Sequence, residues 1–281
     1  MLTYTTYSEA GGVGKTTLGA TLMESHADHG LDVLAVDMDP QAGSLTYLLG
    51  VDAPRDDGQA DNIVRHMIGR PKGDFEELIR KSKFGIDVIP SHNMLERLED
   101  LLNRADRMAD DLDEEFEPVD QLRRVLLEAR IHEHYDVLVV DPPATAGPHL
   151  YNAVSATRSL VIPVEPTGKG EQAVIGLEDL VDGLERRLDT EIGVFAAIPN
   201  GVGQTTDQQT YLEAIRDRGY PAPIAVGERA SLFEGCWAER CTPQYYVEHY
   251  RDRQRNHEMK TLADIDELAH SIEVEAGVVA A

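Results

Sequence analysis

The chain has 281 residues, with 51 acidic side chains against 26 basic ones and a formal net charge of -25. That length buries a substantial core in one large α/β domain or two small ones. The charge opposes casual attraction to nucleic acid or anionic lipid. Cys236 and Cys241 are too few for a disulfide framework and lack zinc-site spacing, so they read as reduced thiols. Early apolar residues are broken by Ser8, Glu9 and a glycine cluster, so neither a secretory signal nor a membrane span is expected and the assignment is cytoplasmic. Acids recur along the whole chain, and arginine outnumbers lysine, the composition expected of a halophilic protein kept soluble in concentrated salt, with an ordinary acidic protein as the alternative.

In chain order, residues 2–7 form the first predicted strand and 15–29 the first helix, by helix-like spacing of apolar residues. Between them lies Glu9-Ala10-Gly11-Gly12-Val13-Gly14-Lys15-Thr16-Thr17. Glycines let a backbone wrap phosphate oxygens, the following helix N-terminus supplies positive potential, and Lys15 reaches the outer phosphates. Thr16 is placed to hold Mg²⁺. Glu9 stands where the ordinary Walker A pattern requires glycine, so the loop is not an ordinary one.

The next predicted strand, 32–36, runs into Asp37-Met38-Asp39-Pro40-Gln41. Two carboxylates after a buried strand fall where open α/β sheets bind ligands. Residues 52–83 are polar and glycine-punctuated, and read as a variable surface insertion around a short helix. A strand at 86–89, a helix at 94–102, an acid-rich solvated loop at 106–117 and a helix at 119–131 follow. His132 and His134 flank Glu133 and read as an exposed helix end.

A strand at 135–140 ends on Asp141-Pro142-Pro143, and another at 159–164 precedes Pro166-Thr167-Gly168-Lys169-Gly170. A helix at 172–188, a strand at 192–198, a helix at 206–218 and a strand at 223–226 complete the alternation, before a helical segment at about 243–281. The pattern is a single α/β domain, a mostly parallel twisted sheet with helices on both faces. Asn200 after the 192–198 strand either reads adenine with its amide or forms a turn before Gly201.

The phosphate loop resembles the deviant Walker A motif of the ParA/MinD family of P-loop ATPases, K-G-G-V-G-K-T-T, matching at every position except the first. Asp37-Met38-Asp39-Pro40-Gln41 is similar to the family's D-x-D-P-Q element, Asp141-Pro142-Pro143 to its D-x-P-P, and Ile162-Pro163-Val164-Glu165-Pro166 to the strand and loop beyond. Ser231-Leu232-Phe233-Glu234 is a weaker match to a segment near the base pocket. The resemblance implies a P-loop ATPase that binds Mg-ATP, forms a homodimer on it, and moves DNA or protein cargo with a small stimulating adaptor protein. It implies nucleotide contacts from Gly11, Gly12, Val13, Gly14, Lys15, Thr16, Thr17 and Asn200. It also implies that Asp39 orients the attacking water, that Asp37 supports the Mg²⁺ shell, with a capping or hydrogen-bonding role in the loop as the alternative, and that Asp141 holds Mg²⁺ through water.

Ala10 occupies the position of the family's signature lysine, which crosses the dimer to the partner's nucleotide. Lys169 is the expected substitute, with a plain solvated loop lysine as the alternative. Membrane attachment is not expected, because residues 265–281 carry acids and neither lysine nor arginine. The cluster Arg251, Arg253 and Arg255 is the expected contact for weak, non-specific DNA binding, with local charge pairing as the alternative.

Overall fold

The computed structural model describes residues 1–164, 171–202 and 219–280, isolated positions between 213 and 217, and for 171–175 the backbone alone. Eight strands form one sheet: β1 (Leu2–Thr6), β2 (Val33–Asp37), β3 (Arg80–Lys81), β4 (Ile86–Ile89), β5 (Val137–Asp141), β6 (Ser159–Val164), β7 (Gly193–Val202) and β8 (Val226–Gly227). Their spatial order is β3-β4-β2-β5-β1-β6-β7-β8, parallel throughout except for the β3–β4 pair.

The central strands are continuously apolar because both faces are covered. In β2, Val33 and Ala35 enter one core while Leu34 and Val36 enter the other; in β5, Val137 and Val139 divide from Leu138 and Val140 in the same way. On the first face lie α1 (Lys15–Asp28), α8 (Ala230–Glu239), α9 (Pro243–His249) and α10 (Asn256–Glu275). On the second lie α4 (Leu98–Asp110), α5 (Gln121–Glu128) and α6 (Pro148–Thr157). Short α2 (Leu45–Leu48) and α3 (Ile63–Met67) join strands β2 and β3, and α7 (Glu171–Leu188) joins β6 to β7.

Helix α1 is buried along nearly its whole length, between the sheet and α10. Helix α10 turns Leu262, Ile265, Leu268, Ala269 and Ile272 inward, at the spacing of one helical face. Each fully buried aliphatic side chain contributes about 1.5–3 kcal/mol of transfer free energy. The α1 helix stops where Gly30 adopts φ +84° and donates its N–H to Ala27 O.

Several boundaries differ from the sequence expectation. Helix α4 continues to Asp110, through the start of the stretch read as a solvated loop, because Leu98, Leu102 and Ala109 keep an inward stripe and Arg104 pairs with Asp100 one turn away. Strand β7 runs on to Val202, so Asn200 lies inside it, in register with Val226. Strand β3 was not expected; it is a two-residue, charged edge pairing, too short and polar to leave a pattern. Residues 52–83 fold as α3, a 3₁₀ turn and β3, and bury Ile63, Val64, Met67, Phe75 and Leu78 in the second core. The helix expected at 206–218 lies largely outside the described residues. Among the described residues, no helix is long and apolar enough to cross a membrane.

One buried charge on α1 sets a pH dependence. Glu24 is buried with its Oε2 unpartnered. Burial, reinforced by the charges of Asp28 and Glu248, pushes its carboxyl up to about 8 from 4.5. The folded state then holds a proton that the unfolded chain releases, so this group's contribution falls as pH rises from 4.5 to about 8. Glu24→Gln is expected to leave stability nearly unchanged at pH 5 and to raise it by about 1–3 kcal/mol at pH 9. Thermal unfolding of the two proteins across that range checks this; an equal offset at both pH values contradicts it.

Candidate nucleotide-binding site

Strands β1, β2 and β5 end side by side, and their C-terminal ends deliver the phosphate loop, Asp37 and Asp141 to one edge of the sheet. Gly12 and Gly14 take φ +81° and +80°, the left-handed region that glycine enters without steric cost. A Cβ on Gly14 would lie 2.6 Å from Asn200 Nδ2, whereas none of the atoms around Gly11 or Gly12 comes within 4 Å of an added Cβ. The loop is therefore braced on one side and open on the other. Gly14 brings no capping side chain to α1, and the first turn carries no acid, so the helix N-terminus keeps its N–H groups and positive potential for an anion.

Asp141 is the hub. Its Oδ1 accepts from Thr6 Oγ1 at 2.7 Å and from Lys15 Nζ at 2.5 Å, and its Oδ2 accepts from Thr16 Oγ1 at 2.9 Å. Lys15 Nζ also donates to Pro142 O at 2.5 Å. The ion pair is enclosed, with side chains 10% and 1% exposed. Breaking such a pair from one side leaves a costly buried charge, which is why both partners hold position.

Asp37 stands opposite Asp141 in the β2–β5 register and is wholly buried. Its Oδ1 accepts from Asp39 N at 3.0 Å; its Oδ2 accepts from Ser44 Oγ at 2.5 Å, Thr46 N at 2.7 Å and Thr46 Oγ1 at 2.5 Å. Burial, with the Asp141 charge adding, pushes its carboxyl up to about 6 against those donors. Asp37 thus ties the 38–46 loop to the strand end. Asp39 is half-buried; its Oδ1 accepts from Gln41 N at 2.9 Å and its carbonyl from Ser91 Oγ at 2.5 Å. Burial raises its carboxyl above the usual range, while Lys15 and His149 oppose the rise.

Asn200 donates its Nδ2 to Val13 O at 2.6 Å, and its Oδ1 accepts from Gly201 N. The amide expected to read adenine or make a turn here clamps the phosphate loop and turns back on its own chain. Lys169 lies outside the described residues. Arg251 is engaged by buried Glu258 at 2.6 Å and stacks over Tyr246, and Arg255 reaches the same carboxylate at 3.5 Å. Among the described residues, Arg253 alone of the three has no ion pair, so local charge pairing accounts for the other two.

Sequence reasoning missed three contributors and offered a fourth, Phe233, only within a weakly matching segment. Thr6 looks like any strand threonine. Trp237, the only tryptophan, donates its indole N–H to Thr17 Oγ1 at 3.0 Å and stacks on Tyr47, tying α8 to the loop helix. Phe233, in the weakly matching segment, lies 3.8 Å from a Cβ built on Gly14. His149 gives Nε2 to Leu95 O at 2.8 Å, and burial holds its imidazole below the usual value while Asp39 pulls the other way. Its one sequence signal was proximity to Asp141-Pro142-Pro143.

A glycine loop opening a helix from a parallel sheet, with a lysine and a threonine wired to an aspartate on the neighbouring strand, defines a P-loop nucleotide-binding protein. The AAA domain family model matches residues 3–194. The chromosome-partitioning ATPase Soj of Thermus thermophilus is 30% identical over 69% of this chain and 68% of its own. The maintenance of carboxysome distribution protein A of Synechococcus elongatus is 27% identical over 64% of this chain and 65% of its own. Among solved structures, apo McdA of Cyanothece covers 97% of this chain and 99% of its own at 19% identity, with a TM-score of 0.73. The cell division ATPase MinD of Pyrococcus furiosus covers 97% and 98% at 19% identity, with a TM-score of 0.70. The chain belongs to the ParA/MinD family of P-loop ATPases.

The two glycines test the bracing. Gly14→Ala meets Asn200 in a left-handed conformation and is expected to destabilise the fold by about 1–2 kcal/mol. Gly11→Ala enters open space at an ordinary φ and is expected to change stability by less than about 0.5 kcal/mol. Denaturant midpoints of the two variants decide; equal losses contradict this account of the loop.

Proposed function

We propose that this protein is a ParA-like ATPase of the deviant Walker A type, which binds Mg-ATP, dimerises on it and hydrolyses it slowly to position or partition DNA or protein cargo. The observation that carries this reading is the direct wiring of Lys15 and Thr16 to Asp141 beneath an open glycine loop. The donor set fits the expected ligands: backbone N–H groups of Gly11, Gly12, Val13, Gly14, Lys15, Thr16 and Thr17 for phosphate oxygens, and hydroxyl and carboxylate oxygens for a hard cation. Thr16 and Asp141 would hold Mg²⁺, with Asp37 in support by fixing the strand end and the 38–46 loop. When bound, Mg²⁺ supplies neutralisation of phosphate charge. Lys15 exchanges Asp141 and Pro142 for the outer phosphates, and Asp39, whose Oδ2 takes no hydrogen bond from the described residues, orients the attacking water.

Ala10 lies exposed on the loop at the signature-lysine position. We assign the missing cation to Lys169, which follows β6 in sequence, a strand whose C-terminal end lies at the ligand edge of the sheet. The second reading, a nucleotide-dependent binding or regulatory module with little or no hydrolysis, rests on that same alanine. The pairing of Arg251 and Arg255 with Glu258, and the net charge of -25, favour a protein cargo and a small adaptor over DNA. The printed name of the carboxysome-distribution relative is in keeping with that cargo class.

Two sets of variants test the proposal. Lys15→Ala is expected to abolish ATP binding in calorimetry, and Asp39→Ala to keep binding, lose turnover and persist as a dimer on size exclusion with Mg-ATP. Affinity of Lys15→Ala within about threefold of wild type, or normal hydrolysis by Asp39→Ala, overturns the assignment. Lys169→Ala is expected to retain binding by the monomer while losing dimerisation and turnover, with partial rescue by Ala10→Lys. Full activity in the single variant removes Lys169 from the mechanism, and absent turnover in the wild type establishes the second reading.

A further inference from the structure

At the end of α1 remote from the phosphate loop, two helices bring five polar side chains together. His26 and His29 lie one turn apart at the end of α1, and Asp266, His270 and Glu273 follow one face of α10 at i, i+4 and i+7. Glu273 is fully buried, and its two oxygens are treated differently. Its Oε1 is held at 2.6 Å by His26 Nδ1 and at 2.8 Å by His29 Nδ1, while Oε2 is buried without a hydrogen-bond partner. His270 Nδ1 lies 3.6 Å from that Oε2, and His29 Nε2 lies 3.2 Å from Asp266 Oδ1.

A buried carboxylate oxygen with nothing to accept is costly in a folded protein and calls for a missing partner. One ligand atom from each of His29, His270 and Glu273 can be chosen so that all three lie within 4.8 Å of one another. Tetrahedral zinc, with bonds of roughly 2.0–2.2 Å to nitrogen and oxygen, needs neighbouring ligands about 3.3 Å apart, which small side-chain rotations supply. Two imidazoles and one carboxylate form a donor set suited to late first-row divalent metals, and one that magnesium, which demands oxygen, disfavours. His26 completes the design from behind: Nδ1 grips Oε1 while Nε2 lies 3.2 Å from the Tyr4 hydroxyl, so the carboxylate is oriented by a hydrogen-bonded support. The entrance is open, since His270 is 58% and Asp266 53% exposed on their side chains.

We propose that His29, His270 and Glu273 form a binding site for a zinc-class divalent metal ion, with water or Asp266 as the fourth ligand, which staples α10 to the helix that carries the phosphate loop. Whichever His29 nitrogen takes the metal gives up the proton through which it faces a carboxylate, Glu273 at Nδ1 or Asp266 at Nε2. Helix α1 is 14 residues long, about 21 Å, so the site is separate from the nucleotide.

The test uses the full chain freed of metal by chelation, titrated with zinc chloride and, in parallel, magnesium chloride, at neutral pH. One zinc ion per chain is expected to bind and raise the unfolding temperature, with no matching effect of magnesium. His270→Ala, at an exposed position that leaves the fold intact, is expected to weaken zinc binding by about tenfold or more, to abolish the thermal shift, and to leave Mg-ATP binding unchanged. Cobalt chloride gives a second readout, a visible absorption band of tetrahedral intensity present in the wild type and lost in His270→Ala. Zinc binding below one equivalent, or affinity and thermal shift in His270→Ala within about twofold of wild type, overturns the proposal and assigns any residual binding to scattered surface histidines.

Discussion

The structure depends on one enclosed contact, the carboxylate of Asp141 taking the Lys15 ammonium, the Thr16 hydroxyl and the Thr6 hydroxyl together. It joins the end of β5 to the first turn of α1 and to β1, the three elements whose meeting makes the ligand edge of the sheet. A carboxylate this buried needs a cation or several donors, and here it has both. The same requirement keeps the loop backbone in a defined curve when its outer face is open. In the proposed function, the contact that organises the loop is also the one that phosphate binding at Lys15 would rearrange.

The remaining layers hold that edge in register. Asp37 spends its carboxylate on Asp39, Ser44 and Thr46, converting a strand end into a fixed platform for Asp39. Asn200 reaches from β7 to Val13, and Trp237 reaches from α8 to Thr17, so the phosphate loop is gripped from two distant parts of the chain. Behind it, α1 is fastened to α10 by an apolar face and by the Glu273 cluster. Movement of the loop is therefore opposed by side chains more than 180 residues away in sequence.

The charge distribution fits the same division of labour. A net charge of -25 opposes the approach of polyanions, while at the phosphate loop one lysine and one helix N-terminus supply local positive potential. Arg251 and Arg255, two of the three arginines expected at a nucleic-acid contact, are paired with Glu258, a buried acid on α10. Their arrangement anchors the 251–255 turn to the helix.

What the sequence determined by itself was local and dense in signal. Gly11-Gly12-Val13-Gly14-Lys15-Thr16-Thr17 specifies a phosphate loop because only glycine tolerates two left-handed turns beside a lysine and a helix start, and the apolar runs of β2 and β5 specify buried parallel strands. These short-range constraints made the fold and the acidic ends Asp37, Asp39 and Asp141 legible. Tertiary structure decided what depends on distant partners: that Asp141 holds Lys15, that Asn200 faces the loop backbone, and that Trp237 and His149 belong to the site. None of these leaves a periodic trace, because each is a single side chain meeting another far along the chain. The Glu273 cluster shows the limit best, since His26 and Glu273 are 247 positions apart and become neighbours only when α10 packs on α1.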